Sequence, residues 1–194
     1  MDAAAALQAG RALRVVGFDD GPFGRRHGEP VPVAGAVCRN TRFEGLVWGH
    51  ISRDGLDATE RLCQLLEGGK FLAQLHAVLL DGITLGGLNV IDLEALQRRL
   101  RLPCIAFLRR TPDLAAFQEL LARFPDGEER RARAATAGPV HRARLGWFQV
   151  RGLEPTLVPP LLERLTDQGH VPEALRLAHL IARAIVTGES GRRA

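Results

Sequence analysis

The stretch RVVGFDDG, at residues 14–21, decides the fold class of this 194-residue chain. Its apolar β-formers run without interruption into two acids and a glycine, which is typical of a buried strand that ends in a turn. Two more strand-like stretches follow, VPVAGAVCR at residues 31–39 and FEGLVWGHI at residues 43–51, with an Asn-Thr turn between them. Three consecutive strands with no room for a helix predict an antiparallel meander.

From residue 57 onward the pattern alternates between helices and strands. An amphipathic helix ending at a glycine is predicted first, and proline-initiated helices close the chain. The predicted elements are helix 57–69, strand 76–81, helix 91–100, strand 103–108, helix 112–124, strand 146–152 and two helices that begin near Pro159 and Pro172. A meander followed by this alternation predicts an α/β fold with an RNase H-like mixed sheet, three meander strands plus parallel strands, and helices on both faces.

Composition and charge indicate one folded domain over residues 1–194, with a flexible leader at 1–12. Hydrophobic residues make up 46% and charged residues 25% of the chain, which excludes a disordered protein. The formal net charge is +4 and 26 residues are Lys or Arg, with Lys70 the one lysine, so a polyanionic partner is slightly favoured.

Cysteine content and the absence of targeting patterns indicate a compartment and exclude several function classes. Three widely spaced cysteines and no charged-then-apolar leader predict a reduced, cytoplasmic protein, and no apolar run is long enough to span a membrane. The motifs of P-loop, serine-hydrolase and zinc enzymes do not occur.

Five blocks of the sequence resemble the endonuclease dU family and, through it, the endonuclease V group. They are RVVGFDDGPF, DGLDATE, LLDGITLGGLNVID, PCIAFLRRTPD and PEALRLAHLIARAIVTGES, in this order over nearly the whole chain. The resemblance implies an RNase H-like fold whose acids hold Mg²⁺ or Mn²⁺ for phosphodiester hydrolysis, and action on DNA beside deaminated bases, with deoxyuridine expected. Endonuclease V also carries a Pro-Tyr-rich wedge, whereas WGHISRDGLD here has neither residue, so that mode of finding lesions is not carried over.

Two buried strands end in Asp-Gly, and these aspartates are the first candidates for metal ligands. Asp19 ends the first strand and Asp81 ends VLLD, each at the place of a metal-binding aspartate in the resemblance. Two metal ions sharing carboxylates can activate water and stabilise both reacting oxygens, so Asp19 is expected to bridge them. Strand alternation sends Asp20 to the opposite face, although the turn at Gly21 could rotate it back.

The third acid is left open between two residues. Glu60 stands 21 residues before Asp81 (81 − 60 = 21), a separation that fits the middle glutamate of endonuclease V. The competing interpretation makes Asp57 the N-cap and Glu60 the third residue of a capping box, in which neither performs chemistry. Asp57 is the substitute ligand, and Asp92 is a reserve that suits a helix N-cap equally well.

The last predicted helix places a polar stripe at i, i+3 and i+7. His179 lies in this stripe, at a place where some endonuclease V-like proteins carry a histidine near the metals. The residues expected to face the core are Leu177, Ala178, Ile181, Ala184 and Ile185. The alternative is a solvated basic surface. DNA contacts are expected from Arg25 and Arg26 in the loop after Asp19, from Arg109 and Arg110, and from Arg176 and Arg183. The charge run at 128–133 could also contact a DNA backbone, although such runs are usually solvated.

Two other functions fit the same residues. An RNA-directed or structure-specific nuclease would use the same acids on another substrate. A non-catalytic nucleic-acid-binding module would keep the fold without the chemistry.

Overall fold

The computed structural model describes residues 2–191 and consists of strands and helices in mixed order. The strands are β1 (Arg14–Asp20), β2 (Pro30–Arg39), β3 (Arg42–Ser52), β4 (Ala77–Asp81), β5 (Thr84–Leu85), β6 (Asn89–Val90), β7 (Cys104–Leu108), β8 (His141–Arg142) and β9 (Trp147–Arg151). The helices are α1 (Ala3–Gln8), α2 (Ala58–Leu66), α3 (Leu93–Leu100), α4 (Leu114–Leu121), α5 (Gly127–Ala135), α6 (Val158–Arg164) and α7 (Glu173–Thr187). Within residues 2–191, no helix is both long and apolar enough to cross a membrane.

The main sheet is mixed, in the order β3-β2-β1-β4-β7-β9-β8. The first three strands form the predicted antiparallel meander, β1, β4 and β7 run parallel, and β9 returns antiparallel to β7. The two-residue strands β5 and β6 form a separate hairpin that was not predicted. The carboxyl ends of β1, β4 and β7 therefore meet along one edge of the sheet.

Helices cover both faces of this sheet, as the sequence predicts. In β1, Val16 and Phe18 pack into a core with α2 and α3, whereas Val15 faces a second core that includes α6 and α7. Alternation along a strand sends successive side chains to opposite faces, so each strand position belongs to one core or the other. This assignment decides which acids can meet.

Helix α7 lies unusually close to β1 because two residues of β1 and its turn lack side chains. A Cβ placed on Gly17 would come within 2.5 Å of the Ala174 carbonyl carbon, and one on Gly21 within 2.5 Å of the Ala182 carbonyl oxygen. Side chains at these positions would push the helix away from the sheet. The two glycines flank Asp19 on the α7 side, so the close approach is centred on that acid.

The buried face of α7 differs from the predicted one. Small and mid-sized residues form it: Ala174, Leu175, Ala178 and Ala182. Ile185 is instead 40% exposed, and Leu177 and Ile181 are only partly buried. The prediction is confirmed for Ala178 and, in part, for Leu177, which packs against the core, but it was wrong for Ile185. A helix seated directly on a strand backbone needs its smallest side chains at the contact.

Two segments for which the sequence predicts no helix contain one. The predicted leader at 1–12 contains α1, where the Asp2 side chain accepts a hydrogen bond from the Ala5 N–H (2.7 Å) and Ala6 is buried in the core; Met1 lies outside the described residues. The charge run at 128–133 lies within α5, and its Arg130 is 1% exposed. Most of the charge run nevertheless stays exposed, and Arg130 is buried because its guanidinium is hydrogen-bonded within the fold.

Candidate active site

Asp19 and Asp81 lie side by side on the adjacent parallel strands β1 and β4. Phe18 pairs with Leu80 in this register, so the next residue of each strand stands at the same level. Both aspartates are at the carboxyl ends of their strands and, by alternation, face the side of the sheet that α7 covers. Asp81 is close enough for its charge to raise the pKa of Asp19.

Asp19 is a buried acid held by two hydrogen bonds. The residue is 6% exposed, its Oδ1 accepts from the Asp20 N–H (2.8 Å), and its Oδ2 lies 2.8 Å from Nδ1 of His179 on α7. Burial raises the pKa of Asp19 to about 8, with the charges of Asp81 and Asp20 adding to the effect; the Asp20 N–H and Arg109 oppose it. The site thus places three carboxyl groups, those of Asp19, Asp20 and Asp81, near one another at a partly desolvated edge of the sheet.

Arg109 is the cation of this acidic group. It follows β7, the strand next to β4, and its Nη2 donates to Asp81 Oδ2 at 3.0 Å. The Arg109 side chain is 40% exposed, so the guanidinium sits between the acid and solvent. The sequence predicted this arginine as a DNA contact and did not predict its carboxylate partner.

Asp20 faces the other side of the sheet, as strand alternation predicts. Its Oδ2 accepts a short hydrogen bond from the Gly86 N–H, in the turn of the β5–β6 hairpin. Burial raises the pKa of Asp20, while the Gly86 N–H lowers it in part. The hairpin thereby fixes the residue that neighbours Asp19.

The hairpin is itself fastened by Arg130. The guanidinium of this buried residue donates to the carbonyl oxygens of Asp54, Gly55 and Leu88, and pairs with the Asp126 carboxylate (Nε to Oδ1, 2.7 Å). A buried arginine requires this degree of hydrogen bonding. One side chain therefore joins α5, the loop after β3 and the hairpin behind Asp20, a role that no local sequence pattern signals.

The family of the chain follows from a match over most of its length. The model of the family described as Endonuclease dU matches residues 11–186. The chain belongs to the endonuclease dU family. Among its relatives, a UPF0215 protein of Thermococcus gammatolerans is 38% identical over 186 residues, which cover 92% of this chain and 94% of that protein.

Solved structures agree with this assignment. A protein from Archaeoglobus fulgidus is 34% identical, with a TM-score of 0.83 over 91% of this chain and 99% of that one. Endonuclease V of Ciona intestinalis, in complex with a 24mer DNA containing an inosine followed by a ribo-adenosine, has a TM-score of 0.56 at 13% identity, over 87% of this chain and 84% of that one. At that identity the likeness concerns the fold, and it confirms the predicted RNase H-like architecture of this endonuclease dU member.

Glu60 is not brought to the Asp19–Asp81 pair in this endonuclease dU structure. It lies exposed on α2, where it pairs with Arg99 of α3 and accepts a hydrogen bond from Gln64 Nε2 (2.6 Å). The hydrogen bond from Arg99 lowers the pKa of Glu60. The placement does not support Glu60 as the third acid, because α2 turns this side chain toward α3.

Asp57 occupies the N-cap position of α2, but its carboxylate is hydrogen-bonded elsewhere. Its carboxylate accepts from the Ser52 N–H (3.0 Å) and from Asn89 Nδ2 (2.6 Å), and makes no cap bond to α2. Asn89 Oδ1 accepts from the Ala58 N–H instead (3.0 Å). Although burial raises the pKa of Asp57, the hydrogen bonds from Ser52 and Asn89 bring it below its usual value.

The remaining predicted residues fall into two groups. Asp92 is the N-cap of α3, with Oδ1 accepting from the Ala95 N–H (2.8 Å), and Arg176 is paired with Glu173 (Nη2 to Oε1, 2.6 Å). The arginines on open surface are Arg25, Arg26, Arg110 and Arg183. The first two belong to the loop that leaves β1 directly after the acids.

The donors at this edge fit a divalent cation such as Mg²⁺. Mg²⁺ binds through one or two carboxylates and keeps water or phosphate in its other positions. Over residues 2–191, no three His, Cys, Asp or Glu side chains are gathered into a metal-binding cluster, so Asp19 and Asp81 would form an open site. The mutual repulsion that raises the pKa of Asp19 is what a bound cation would relieve.

Proposed function

We propose that this protein is a divalent-metal-dependent endonuclease of DNA repair that hydrolyses phosphodiester bonds beside deaminated bases, with deoxyuridine as its main lesion. The observation that carries the proposal is that Asp19 and Asp81 lie at the same level on neighbouring parallel strands. Burial and the repulsion from nearby acids raise the pKa of Asp19 to about 8. Perturbed acids at the carboxyl edge of a parallel sheet are typical of functional sites. Membership in an endonuclease family supports the nuclease assignment.

Asp19 and Asp81 would hold Mg²⁺ or Mn²⁺, which supplies an activated water and stabilises charge on the phosphate oxygens. The Asp20 N–H and His179 keep the Asp19 carboxylate in one orientation. Because Nδ1 of His179 is engaged by Asp19, Nε2 is the ring nitrogen that would exchange a proton with a reacting oxygen. His179 is half-buried on α7, so solvent can restore that proton.

Arg109 would bind the phosphate from the side of the acid pair opposite to His179, because it contacts Asp81 and His179 contacts Asp19. A guanidinium fork matches two phosphate oxygens, and Arg109 already lies beside Asp81 at the open edge of the sheet. Beyond it lies a cavity of about 380 Å³, lined by Arg142 and Arg144 together with His170. A DNA backbone following this edge would pass from the acids into a positive surface.

The substrate class rests on relatives. The family is described as Endonuclease dU, and the Ciona endonuclease V structure holds DNA that contains an inosine. Deoxyuridine and deoxyinosine are both deamination products. We extend this class to the present chain, with deoxyuridine in first place.

The test is a cleavage assay on end-labelled oligonucleotides that contain one uracil, one hypoxanthine, one ribonucleotide or none. We expect Mg²⁺ or Mn²⁺ to support cutting of the uracil strand, a chelator to stop it, and Asp81→Asn to lower it by about 1,000-fold, since several kcal/mol of metal-assisted stabilisation are lost. Asp2→Asn is the matched control and should cut normally, because it changes only the cap of α1.

Two results would overturn the proposal. Preferred cutting at the ribonucleotide would make the protein an RNA-directed nuclease of the same fold. Binding without cutting under either metal, unchanged by chelator, would make it a non-catalytic binding module.

A further inference from the structure

A second cavity begins at the residue that follows Asp81. It has a volume of about 280 Å³ and opens beside Gly82. Apolar side chains form most of its wall, among them Ile83, Leu108, Leu114 and Phe117, and Gln149 of β9 is its one buried polar lining residue within the described part of the chain. This size suits a single flat heterocycle rather than a larger ligand.

Gln149 is held in one orientation. It is 4% exposed, and its Nε2 donates to the carbonyl oxygen of Gly138 at 2.7 Å. Because a carbonyl oxygen can only accept, the amide cannot flip without setting its own oxygen against that of Gly138. Within residues 2–191 the Gln149 side chain makes no other hydrogen bond, so its Oε1 and its second N–H are left as an acceptor and a donor.

We propose that Gln149 reads the base of an extruded nucleotide in this cavity and separates deaminated bases from their parents; the proposal rests on the nuclease function proposed above. Uracil presents a ring N3–H beside the O4 carbonyl, and hypoxanthine presents N1–H beside O6. Each pattern matches Oε1 as acceptor and Nε2–H as donor. Cytosine and adenine present the reverse, an unprotonated ring nitrogen beside an amino group.

The fixed orientation is what creates selectivity. A freely rotating amide would turn over and pair with either pattern, whereas the Gly138 carbonyl prevents the turn. Cytosine in the cavity would set acceptor against acceptor and donor against donor, leaving buried groups unpaired. Sites that hydrogen-bond a buried group reject mismatched analogues strongly, so we expect a uracil-over-cytosine preference of at least about 100-fold from this contact.

The position of the cavity agrees with this role. Gly82, which lines the cavity, follows Asp81 directly in the chain and has a left-handed backbone (φ 87°), so the cavity begins one residue beyond the acid at the edge of the sheet. Enzymes that act on a base inside a duplex extrude it into a pocket of this kind. Phe117 offers an aromatic surface, half-buried, against which a base can pack.

The experiment compares wild type, Gln149→Leu and the matched control Gln74→Leu, whose side chain lies on the 3₁₀ turn at Leu72–Gln74, on the far side of the molecule from the cavity. Cleavage rates are measured on oligonucleotides that differ only in uracil or cytosine at one position. Equilibrium binding of the same DNAs is measured with chelator present. We expect Gln149→Leu to reduce the uracil-to-cytosine ratio by about 100-fold in both assays, and Gln74→Leu to keep it.

The uracil-to-cytosine ratio separates base reading from a purely structural role. A general loss of fold would lower cleavage and binding of both oligonucleotides together and leave their ratio unchanged. An abasic oligonucleotide, which has no base to read, should bind wild type and Gln149→Leu equally. If wild type cuts uracil DNA and Gln149→Leu keeps the full selectivity, the base-reading role is overturned while the nuclease function stands. If wild type cuts nothing, the nuclease function fails and the binding ratio alone decides the role of Gln149; no uracil preference there would overturn it as well.

Discussion

Replacing Asp19 by Asn should make the metal-free protein more stable while it destroys activity. The carboxylate is buried beside two other acids, and burial with their repulsion raises its pKa from 3.8 to about 8. Asn keeps the size and the hydrogen bonds but carries no charge. Active sites commonly hold such destabilising groups because their chemistry requires them.

The magnitude follows from the pKa shift. The native state holds the Asp19 proton more tightly than the unfolded state, so this group contributes stability below pH 3.8 that is lost as the pH rises toward 8. A shift of about 4 units at ~1.36 kcal/mol each sets an upper bound near ~5 kcal/mol. Asn still buries a polar group, and the neighbouring acids relax, so we expect a net gain of about 2 kcal/mol at pH 8, or roughly 5 °C in Tm.

Thermal unfolding of wild type and Asp19→Asn, with chelator, from pH 4 to pH 8 measures this. The two Tm values should agree near pH 4 and separate as the pH rises. Mg²⁺ should then raise the Tm of wild type and leave the variant nearly unchanged, since the ligand stabilises only the protein that binds it. A variant less stable than wild type at pH 8, or a gap that does not change with pH, would refute the reasoning.

Other predictions test the parts around this acid. Gly17→Ala puts a methyl group 2.5 Å from the Ala174 backbone and should lower the free energy of unfolding, measured by chemical denaturation, by about 1–3 kcal/mol. Cleavage should also fall, because the displaced helix α7 carries His179. An active and equally stable variant would contradict the close packing. Arg109→Gln should leave the fold intact and reduce the salt dependence of DNA binding by about one unit of slope, measured by anisotropy at several salt concentrations. Glu60→Gln should cut normally, since its partners lie on α2 and α3; lost cleavage would restore it as the third acid.

The chain order of most strands and helices could be predicted because it depends on local patterns. Alternation and β-formers predict β1 to β3, and helical periodicity with a proline start and a glycine stop predicts α7. The Asp-Gly ends of two buried strands also pointed to Asp19 and Asp81, because strand ends at one edge of a sheet meet there. Short stretches of sequence are enough to predict these features, because each depends on residues that are close together in the chain.

Partner choice could not be predicted, because it depends on residues far apart in sequence. From the sequence alone, Glu60 suits a metal site and a capping box equally well. Its pairing with Arg99 depends on where α3 packs against α2. Arg130 belongs to a charge run that looks solvated, and the carbonyls it binds come from loops more than 40 residues away.

The sequence by itself determined the meander, the alternation that follows and two acids at strand ends. Only the tertiary structure decided which groups act on those acids. Gly17 and Gly21 look like ordinary strand and turn glycines until α7 is seated on them, and this contact brings His179 to 2.8 Å from Asp19. Packing between distant elements chooses among the faces and partners that local chemistry leaves open, because that choice depends on the shape of the whole core.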